Sequence, residues 1–187
     1  MLEPIYIKPK EVISKQFLQE LKEINSRYTK NKKFFQYQHS IKKLFKLEDI
    51  SKIKRETFFY LAGFLESESS LTFTIKKNQT SKFGVYFNFE FNLTQHINGI
   101  SNLVLAMEVF KTGRIHFKSG SCATFVYTIY NRRSLEEKII PFYEKFVIPY
   151  GSYAKAIRVK KFKEIFQLFK EKAHLDINRI IIDILPL

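Results

Sequence analysis

The sequence predicts an α+β fold in which helices cover one face of a twisted antiparallel β-sheet. Two stretches read as β-hairpins, and apolar residues recur at helical spacing before, between and after them. The composition, 45% hydrophobic and 27% charged, is that of a chain with a packed core. The order helix, hairpin, helix, hairpin, helices is typical of an α+β domain, and 187 residues suffice for one such domain with a small appendage.

Residues 1–52 are predicted to form an N-terminal helical extension, followed by a main domain over residues 53–187. Ser14 can cap a first helix that runs to Arg27. The polar run SRYTKNKK, residues 26–33, is expected to break that helix, and an apolar stripe over residues 34–45 predicts a second one.

The main domain is predicted to open with a helix over residues 56–67, and two strands around a polar turn follow in residues 70–95. The second of these strands alternates strictly between apolar and polar side chains, which is typical of a half-buried strand. A helix over residues 100–111 and a second hairpin over residues 113–130 come next.

The C-terminal part is predicted to be helical. Ser134 is expected to cap a helix that Pro141 kinks or ends, because proline lacks the N–H that a helix interior needs. An amphipathic segment over residues 153–185 then closes the chain as one or two helices.

The charge balance points to a polyanionic partner. The chain has 32 Lys and Arg against 18 Asp and Glu, a net charge of +14, which favours nucleic acid over a merely solvated basic surface. No apolar run is long enough to predict a membrane helix, and no secretory signal is expected. The lone Cys122 excludes a disulfide framework, and the four histidines lack the spacing of a zinc site.

One face of the predicted sheet is apolar, whereas the other is polar and cationic. A twisted ribbon that carries amides, hydroxyls and cations can read base edges in the DNA major groove. An ordinary solvated sheet face is the alternative interpretation. The outward-facing candidates for DNA binding are Thr72, Thr74, Lys76, Tyr86, Asn88, Glu90, Asn92, Arg114, His116 and Lys118.

The stretch FFYLAGFLESESSLTFTI places two glutamates where an apolar helix gives way to a strand. Gly63 and Ser67 are four residues apart, so two such helices could approach closely along this small-residue side. Glu68 lies at the helix C-terminus, where the macrodipole does not favour a carboxylate, and a pair of helices would bring two Glu68 side chains together. Two carboxylates brought together in this way would suit metal-assisted phosphodiester hydrolysis. In the alternative interpretation, the glutamates are merely solvated at a helix end.

The nine residues LAGFLESES resemble the LAGLIDADG motif of a family of homing endonucleases. Over residues 56–170, the stretches SKFG, EFN, TQH, EVFKTGRI, KSGS and SLEEKIIPFYE are similar to the single-motif, homodimeric members encoded by introns in organelle large-subunit rRNA genes. The resemblance implies the αββαββα fold of that family. Three positions depart from the motif: Glu68 stands where the family usually has Asp, Ser67 is the small residue before it, and Ser69 replaces the closing Gly.

The resemblance also implies roles for particular residues. Glu68 would be the catalytic metal ligand, with the Ser67 carbonyl as a second ligand, and Gln95 would orient water near the metal. Lys155 is the candidate lysine of a basic solvent network. The turn of the first hairpin adds DNA-binding candidates, namely Asn78, Gln79, Ser81 and Lys82.

The function that the resemblance implies is a site-specific DNA endonuclease that acts as a homodimer on a long double-stranded target. It would use Mg²⁺ or Mn²⁺, with Ca²⁺ as a non-catalytic substitute, and make staggered cuts with 3′ overhangs. A maturase that binds intron RNA and a catalytically inactive DNA-binding regulator are the alternatives. The many Phe, Lys, Ile and Asn residues, with no Trp, suggest an organelle genome. The resemblance implies the chloroplast rather than the mitochondrion.

Overall fold

A computed structural model describes residues 7, 12–48 and 53–186. The chain folds into helices and strands in the expected alternation, which confirms the predicted α+β class. The principal elements are α1 (Lys15–Asn31), α2 (Phe34–Leu44), α3 (Arg55–Glu68), β1 (Ser69–Lys77), β2 (Val85–His96), α4 (Ile100–Phe110), β3 (Arg114–Phe117), β4 (Thr124–Ile129) and α5 (Tyr153–Lys170). Residues 132–147 form a further helical segment, and short helical turns follow α5 up to Ile184.

The four strands form one antiparallel sheet in the order β1-β2-β4-β3, so β1 and β3 are its edge strands. In the second hairpin, Arg114 lies opposite Thr128 and Ile115 opposite Tyr127. The chain divides into two compact units: residues 1–69 with 92–129, and residues 70–91 with 130–187. The described helices of the N-terminal segment belong to the first unit, while the predicted domain boundary at residue 53 stays a prediction.

The core of the first unit joins α1 and α2 to the second hairpin. The Phe45 ring packs edge-on against Phe17 and Phe125, with ring centroids 5.2 and 5.1 Å apart. Leu21 and Ile41, on the inner sides of α1 and α2, are fully buried. The apolar stripes seen in the sequence therefore face this core, as their helical spacing predicts.

The core of the second unit is a cluster of phenylalanines from the first hairpin and α5. Phe89 contacts Phe166 and Phe169 at centroid distances of 5.1 and 4.9 Å, and Phe73 stacks on Phe87 at 5.9 Å. The Arg132 guanidinium lies 5.0 Å from the Phe169 ring centroid. The alternation of β2 directs its phenylalanines to this side, which confirms the pattern read from the sequence.

The first helix confirms its predicted start and corrects its predicted end. Ser14 caps α1, since its hydroxyl accepts the Phe17 N–H at 3.2 Å. The polar run does not break the helix at residue 26; α1 continues to Asn31 and ends at Lys32, whose φ of 56° is left-handed. Polar residues such as Arg and Lys propagate a helix well, and Tyr28 is held by stacking on Tyr37 at 4.3 Å.

For residues 132–147, the predicted cap was wrong, and of the two predicted effects of Pro141, a kink or an end, the end was wrong. Asn131, rather than Ser134, caps this segment, because its side-chain oxygen accepts the Ser134 N–H at 3.0 Å. Pro141 does not end the helix, which continues to Val147 with wider π-helical turns over Leu135–Ile139 and Tyr143–Val147. These wider turns lie on both sides of Pro141, which has no N–H to donate to the helix. Within the described residues, no helix has the length and apolar character needed to cross a membrane.

Candidate metal and nucleic-acid site

Helix α3 is buried on one side and open on the other. Leu61 and Leu65 are fully buried, whereas Gly63 and Ser67 on the opposite side are exposed. A Cβ atom added at Gly63 would meet nothing within 4 Å. Tyr60 is 58% exposed on the same side, and its hydroxyl donates to the Asn102 side chain at 2.8 Å. The small residues therefore leave a flat, accessible helix surface.

Glu68 is the last residue of α3, and its side chain is exposed. Among the described residues, its carboxylate accepts no hydrogen bond and forms no ion pair. The Ser69 N–H closes the helix on the Leu65 carbonyl, so the Ser67 carbonyl lies in the last turn, where helical N–H partners run out. A carboxylate and a carbonyl at the negative end of a helix macrodipole provide hard oxygen ligands for a cation.

Gln95 lies near the end of β2 and packs tightly over Gly99. Its side-chain oxygen accepts the His96 N–H at 2.8 Å, and a Cβ atom at Gly99 would come within 2.8 Å of the Gln95 side chain. Because β1 starts directly after Glu68 and pairs antiparallel with β2, the start of β1 and the end of β2 meet at one end of the hairpin. Glu68 and Gln95 therefore lie at the same end of the first hairpin.

Lys155 lies in the first turn of α5, in the second unit, and is half-buried. Ser152 caps this helix, since its hydroxyl accepts the Lys155 N–H at 3.2 Å. The structure thus fixes the backbone of Lys155 by a helix cap. Its predicted membership of a solvent network at the metal stays a prediction.

The outer face of the first hairpin carries the predicted polar side chains. Tyr86 is 50% exposed and Lys76 is exposed, whereas Thr72 and Thr74 are half-buried. The amide of Asn88 donates to the Glu90 carboxylate two residues along the same strand. This neighbouring pair presents an amide oxygen and a carboxylate together, in place of two independent groups.

The turn between β1 and β2 uses part of its predicted DNA-binding set for its own structure. The Asn78 side-chain oxygen accepts both the N–H and the hydroxyl of Thr80, at 3.1 and 2.8 Å. Ser81 bonds the Asn78 carbonyl through its hydroxyl at 2.8 Å. Lys82 donates to the Leu175 carbonyl at 3.1 Å, while Gln79 is exposed.

On the second hairpin, an outward-facing residue is joined to helix α1. Arg114 donates to the Thr29 hydroxyl at 3.2 Å, and its guanidinium lies 5.8 Å from the Tyr28 ring centroid. The side-chain oxygen of Asn92 accepts the Thr128 hydroxyl at 2.8 Å, which ties β2 to the strand opposite Arg114. His116 is half-buried and Lys118 is exposed.

No pattern in the sequence predicted how helices α1 and α2 cover the edge of β3. The Ile115 carbonyl accepts the Asn25 amide at 3.0 Å, and the Ile115 N–H donates to the Tyr37 hydroxyl at 2.7 Å. Tyr37 in turn donates to the Asn25 side chain at 3.1 Å. Burial raises the pKa of Tyr37, so the neutral phenol is favoured. Edge strands need such protection.

The remaining titratable candidates have ordinary structural places. His174 stacks on Phe169 at a centroid distance of 4.4 Å, and burial lowers its pKa. His39 and Cys122 are exposed. In the part of the chain that the structure describes, no group of three or more His, Cys, Asp or Glu side chains could hold a metal ion.

Comparisons with known proteins match both the motif and the whole chain. Residues 61–171 match the LAGLIDADG endonuclease family. The DNA endonuclease I-CeuI of Chlamydomonas moewusii is 49% identical over 181 residues, which are 97% of this chain and 83% of the relative.

Two solved structures show the same fold. The group I intron-encoded homing endonuclease I-CeuI complexed with DNA has a TM-score of 0.93 at 48% identity and covers 97% of this chain and 87% of its own. The archaeal intron-encoded homing endonuclease I-Vdi141I complexed with DNA has a TM-score of 0.59 at 30% identity, over 67% and 76%. With the motif helix, the hairpin pair and these similarities together, the chain belongs to the LAGLIDADG endonuclease family.

Proposed function

We propose that this chain is a site-specific homing endonuclease that binds a long double-stranded DNA target as a homodimer and makes a metal-dependent, staggered double-strand cut. The observation that carries the proposal is Glu68: an exposed carboxylate at the end of α3, next to an open small-residue surface. The 49% identity to a DNA endonuclease over nearly the whole chain supports the same activity.

The open side of α3 is the proposed dimer surface. Gly63 leaves space for another helix to approach, and the exposed aromatic rings of Phe59 and Tyr60 offer apolar area. Each chain carries one copy of the motif, so two copies of α3 meeting at a twofold axis would supply two Glu68 carboxylates. One carboxylate would then serve each DNA strand.

The residues at the end of α3 fit a divalent metal. Mg²⁺ is usually held by one or two carboxylates together with water and substrate phosphates, which matches Glu68 plus the Ser67 carbonyl. Mn²⁺ would substitute for it, and Ca²⁺ would bind without supporting the cut. When bound, the metal supplies Lewis-acid stabilisation of the attacking and leaving oxygens.

The other candidates act on water and on the DNA. Because the Gln95 oxygen is engaged by the His96 N–H, its amide N–H₂ is the group that would donate to the attacking water. Lys155, with Arg158 one turn later, would hold protons in the surrounding solvent network. The products would carry 5′-phosphate and 3′-hydroxyl ends with 3′ overhangs.

The outer face of the sheet is the proposed DNA-reading surface, with one subunit on each half-site. Its amides, hydroxyls and cations suit base edges in the major groove. The composition, with 20 Phe and no Trp, supports an organelle origin, and the proposed organelle is the chloroplast rather than the mitochondrion. The carboxylate at position 68, at the same hairpin end as Gln95, favours the nuclease over an intron-RNA-binding maturase.

Digestion of a plasmid library tests the proposal. With Mg²⁺, we expect linearised plasmids whose sequenced ends share one site with 3′ overhangs, and EDTA should abolish the cut. The DNA complex should have the solution mass of two protein chains. DNA binding without any cut, or one chain per complex, would contradict the proposed nuclease or the proposed dimer respectively.

A further inference from the structure

The turn that connects α1 and α2 is strongly basic. Residues 26–33 contain four cations and no acidic residue. All four side chains are exposed, and none forms an ion pair within the described parts of the chain. We call them the basic turn: Arg27, Lys30, Lys32 and Lys33. Four exposed like charges without counter-charges repel one another, so their placement together favours a polyanion.

A cleft of about 100 Å³ lies between the two helices at this turn. Arg27, Asn31 and Lys33 line it, together with Gln36 and Ser40. The Ser40 hydroxyl already donates to the Gln36 carbonyl at 2.9 Å. The other four side chains can donate hydrogen bonds, and phosphate oxygens only accept them. The cleft therefore offers donors and positive charge to a phosphate group.

The basic turn is fixed beside the outer face of the sheet. Thr29, one residue before Lys30, accepts the hydrogen bond of Arg114, which is itself one of the outward-facing cations of β3. Asn25 and Tyr37 hold both helices to the Ile115 backbone of the same strand. These contacts place the basic turn at the β3 edge of the proposed DNA surface without further ordering of the chain.

We propose that the basic turn binds backbone phosphates of the DNA at the β3 edge of the sheet, and so extends the contact of each subunit along the duplex. This inference rests on the proposed function, because it needs the outer face of the sheet to lie on DNA. Phosphate contacts fix register and affinity without reading sequence. A second copy of the chain is disfavoured as the occupant, since two basic turns would oppose like charges.

The salt dependence of binding tests the proposal. The Lys30→Gln/Lys33→Gln variant should bind a long mixed-sequence DNA duplex, in EDTA, with a shallower slope of log affinity against log salt. Each lost phosphate contact lowers the slope by about 0.9, hence by roughly 2 per subunit. The Lys30→Arg/Lys33→Arg variant keeps the charges and should retain the wild-type slope.

The matched control removes two exposed charges at the other end of the helical hairpin. Lys15→Gln/Lys43→Gln has the same charge change and should leave the slope unaltered. Equal slopes for wild type and the Lys30/Lys33 variant, or equal losses in both variants, overturn the inference. A loss seen with structured RNA and absent with duplex DNA overturns it as well.

The outcomes separate this inference from the proposed function. A wild-type protein that cuts its target while the Lys30/Lys33 variant keeps the full slope refutes only the role of the basic turn. A wild-type protein that never cuts, but whose slope falls as expected in the variant, refutes only the nuclease. Thermal unfolding of each variant checks that the exposed substitutions leave the fold intact.

Discussion

Helices α3 and α4 lie in the same unit and contact each other. Helix α4 is covered by its neighbours, whereas α3 is open on one side. Six of the 11 residues of α4 are buried, against three of the 14 residues of α3. Helix α4 is also the more apolar of the two, which accounts for part of the difference. The open side of α3 carries the motif, which is why we propose it as the dimer surface.

The glutamates of the two helices show the same contrast. Glu108 of α4 is mostly buried and forms an ion pair with Lys42 of α2. Glu68 of α3 is exposed at the helix end and has no partner among the described residues. A buried, paired carboxylate supports the fold, whereas an exposed carboxylate beside an open surface is available for chemistry.

The largest expected effect is that of Glu68→Gln on cleavage. The amide keeps the shape and loses the negative charge that would hold the metal. Since metal stabilisation of the transition state is worth several kcal/mol, cleavage should fall by about a thousandfold or more. Single-turnover cutting of the selected plasmid site measures it, while DNA affinity and unfolding free energy should stay near wild type.

Glu56→Gln is the control for that experiment, because Glu56 is an exposed glutamate in the first turn of the same helix. It should change cleavage little. Retained cutting by Glu68→Gln, or equal losses in both variants, would remove Glu68 from the proposed site.

The second largest expected effect concerns the stability of the covered helix, α4. Glu108→Leu leaves the buried Lys42 ammonium without its carboxylate, which should cost about 3–5 kcal/mol of unfolding free energy. Lys42→Met/Glu108→Leu should recover most of it, as apolar replacement of a buried pair often does. Urea unfolding of the metal-free protein measures both.

The exposed pair of Lys160 and Glu164 provides the comparison for Glu108→Leu. Its atoms are 3.8 Å apart, and both side chains are well exposed. Glu164→Leu should therefore cost less than about 1 kcal/mol. Comparable losses at positions 108 and 164 would show that α4 is not held by its ion pair.

A third test adds the same side chain to each helix. Gly63→Leu meets open space within one chain, so the fold should be kept, and association should weaken by roughly tenfold to a hundredfold. Ala106→Leu, at a fully buried position of α4, should cost about 1–3 kcal/mol of stability instead. Sedimentation and urea unfolding separate the two; a Gly63→Leu variant that dimerises normally would place the interface elsewhere.

Local patterns in the sequence were enough to predict most elements. The cap at Ser14 and the alternation of β2 depend on residues close together in the chain, and both are confirmed. The motif helix was recognised by its residues, whereas periodicity alone said nothing of metal binding. Local signals were not always sufficient, since the cap expected at Ser134 is provided by Asn131.

Other features that the sequence did not predict involve contacts between distant residues. Nothing near Lys42 predicts that it pairs with Glu108, and nothing near Arg114 predicts its bond to Thr29. The π-helical turns on either side of Pro141 were not predicted either. The basic run at residues 26–33 was predicted to break the helix because the sequence does not show the contacts of these residues with the sheet.

The last test concerns the contacts of Asn25 and Tyr37 that cover the β3 edge. Tyr37→Phe removes the hydroxyl that accepts the Ile115 N–H and donates to Asn25, which should cost about 1–3 kcal/mol at neutral pH. The pKa of Tyr37 is raised on folding, so wild-type stability should fall as pH rises above 10.0, the ordinary tyrosine value, where only the unfolded chain ionises. The variant lacks this group, and its disadvantage should shrink by about 1.4 kcal/mol per pH unit in that range. Urea unfolding at neutral and alkaline pH measures both terms, and a disadvantage that stays constant across pH 10 would show that Tyr37 is not buried against the β3 edge.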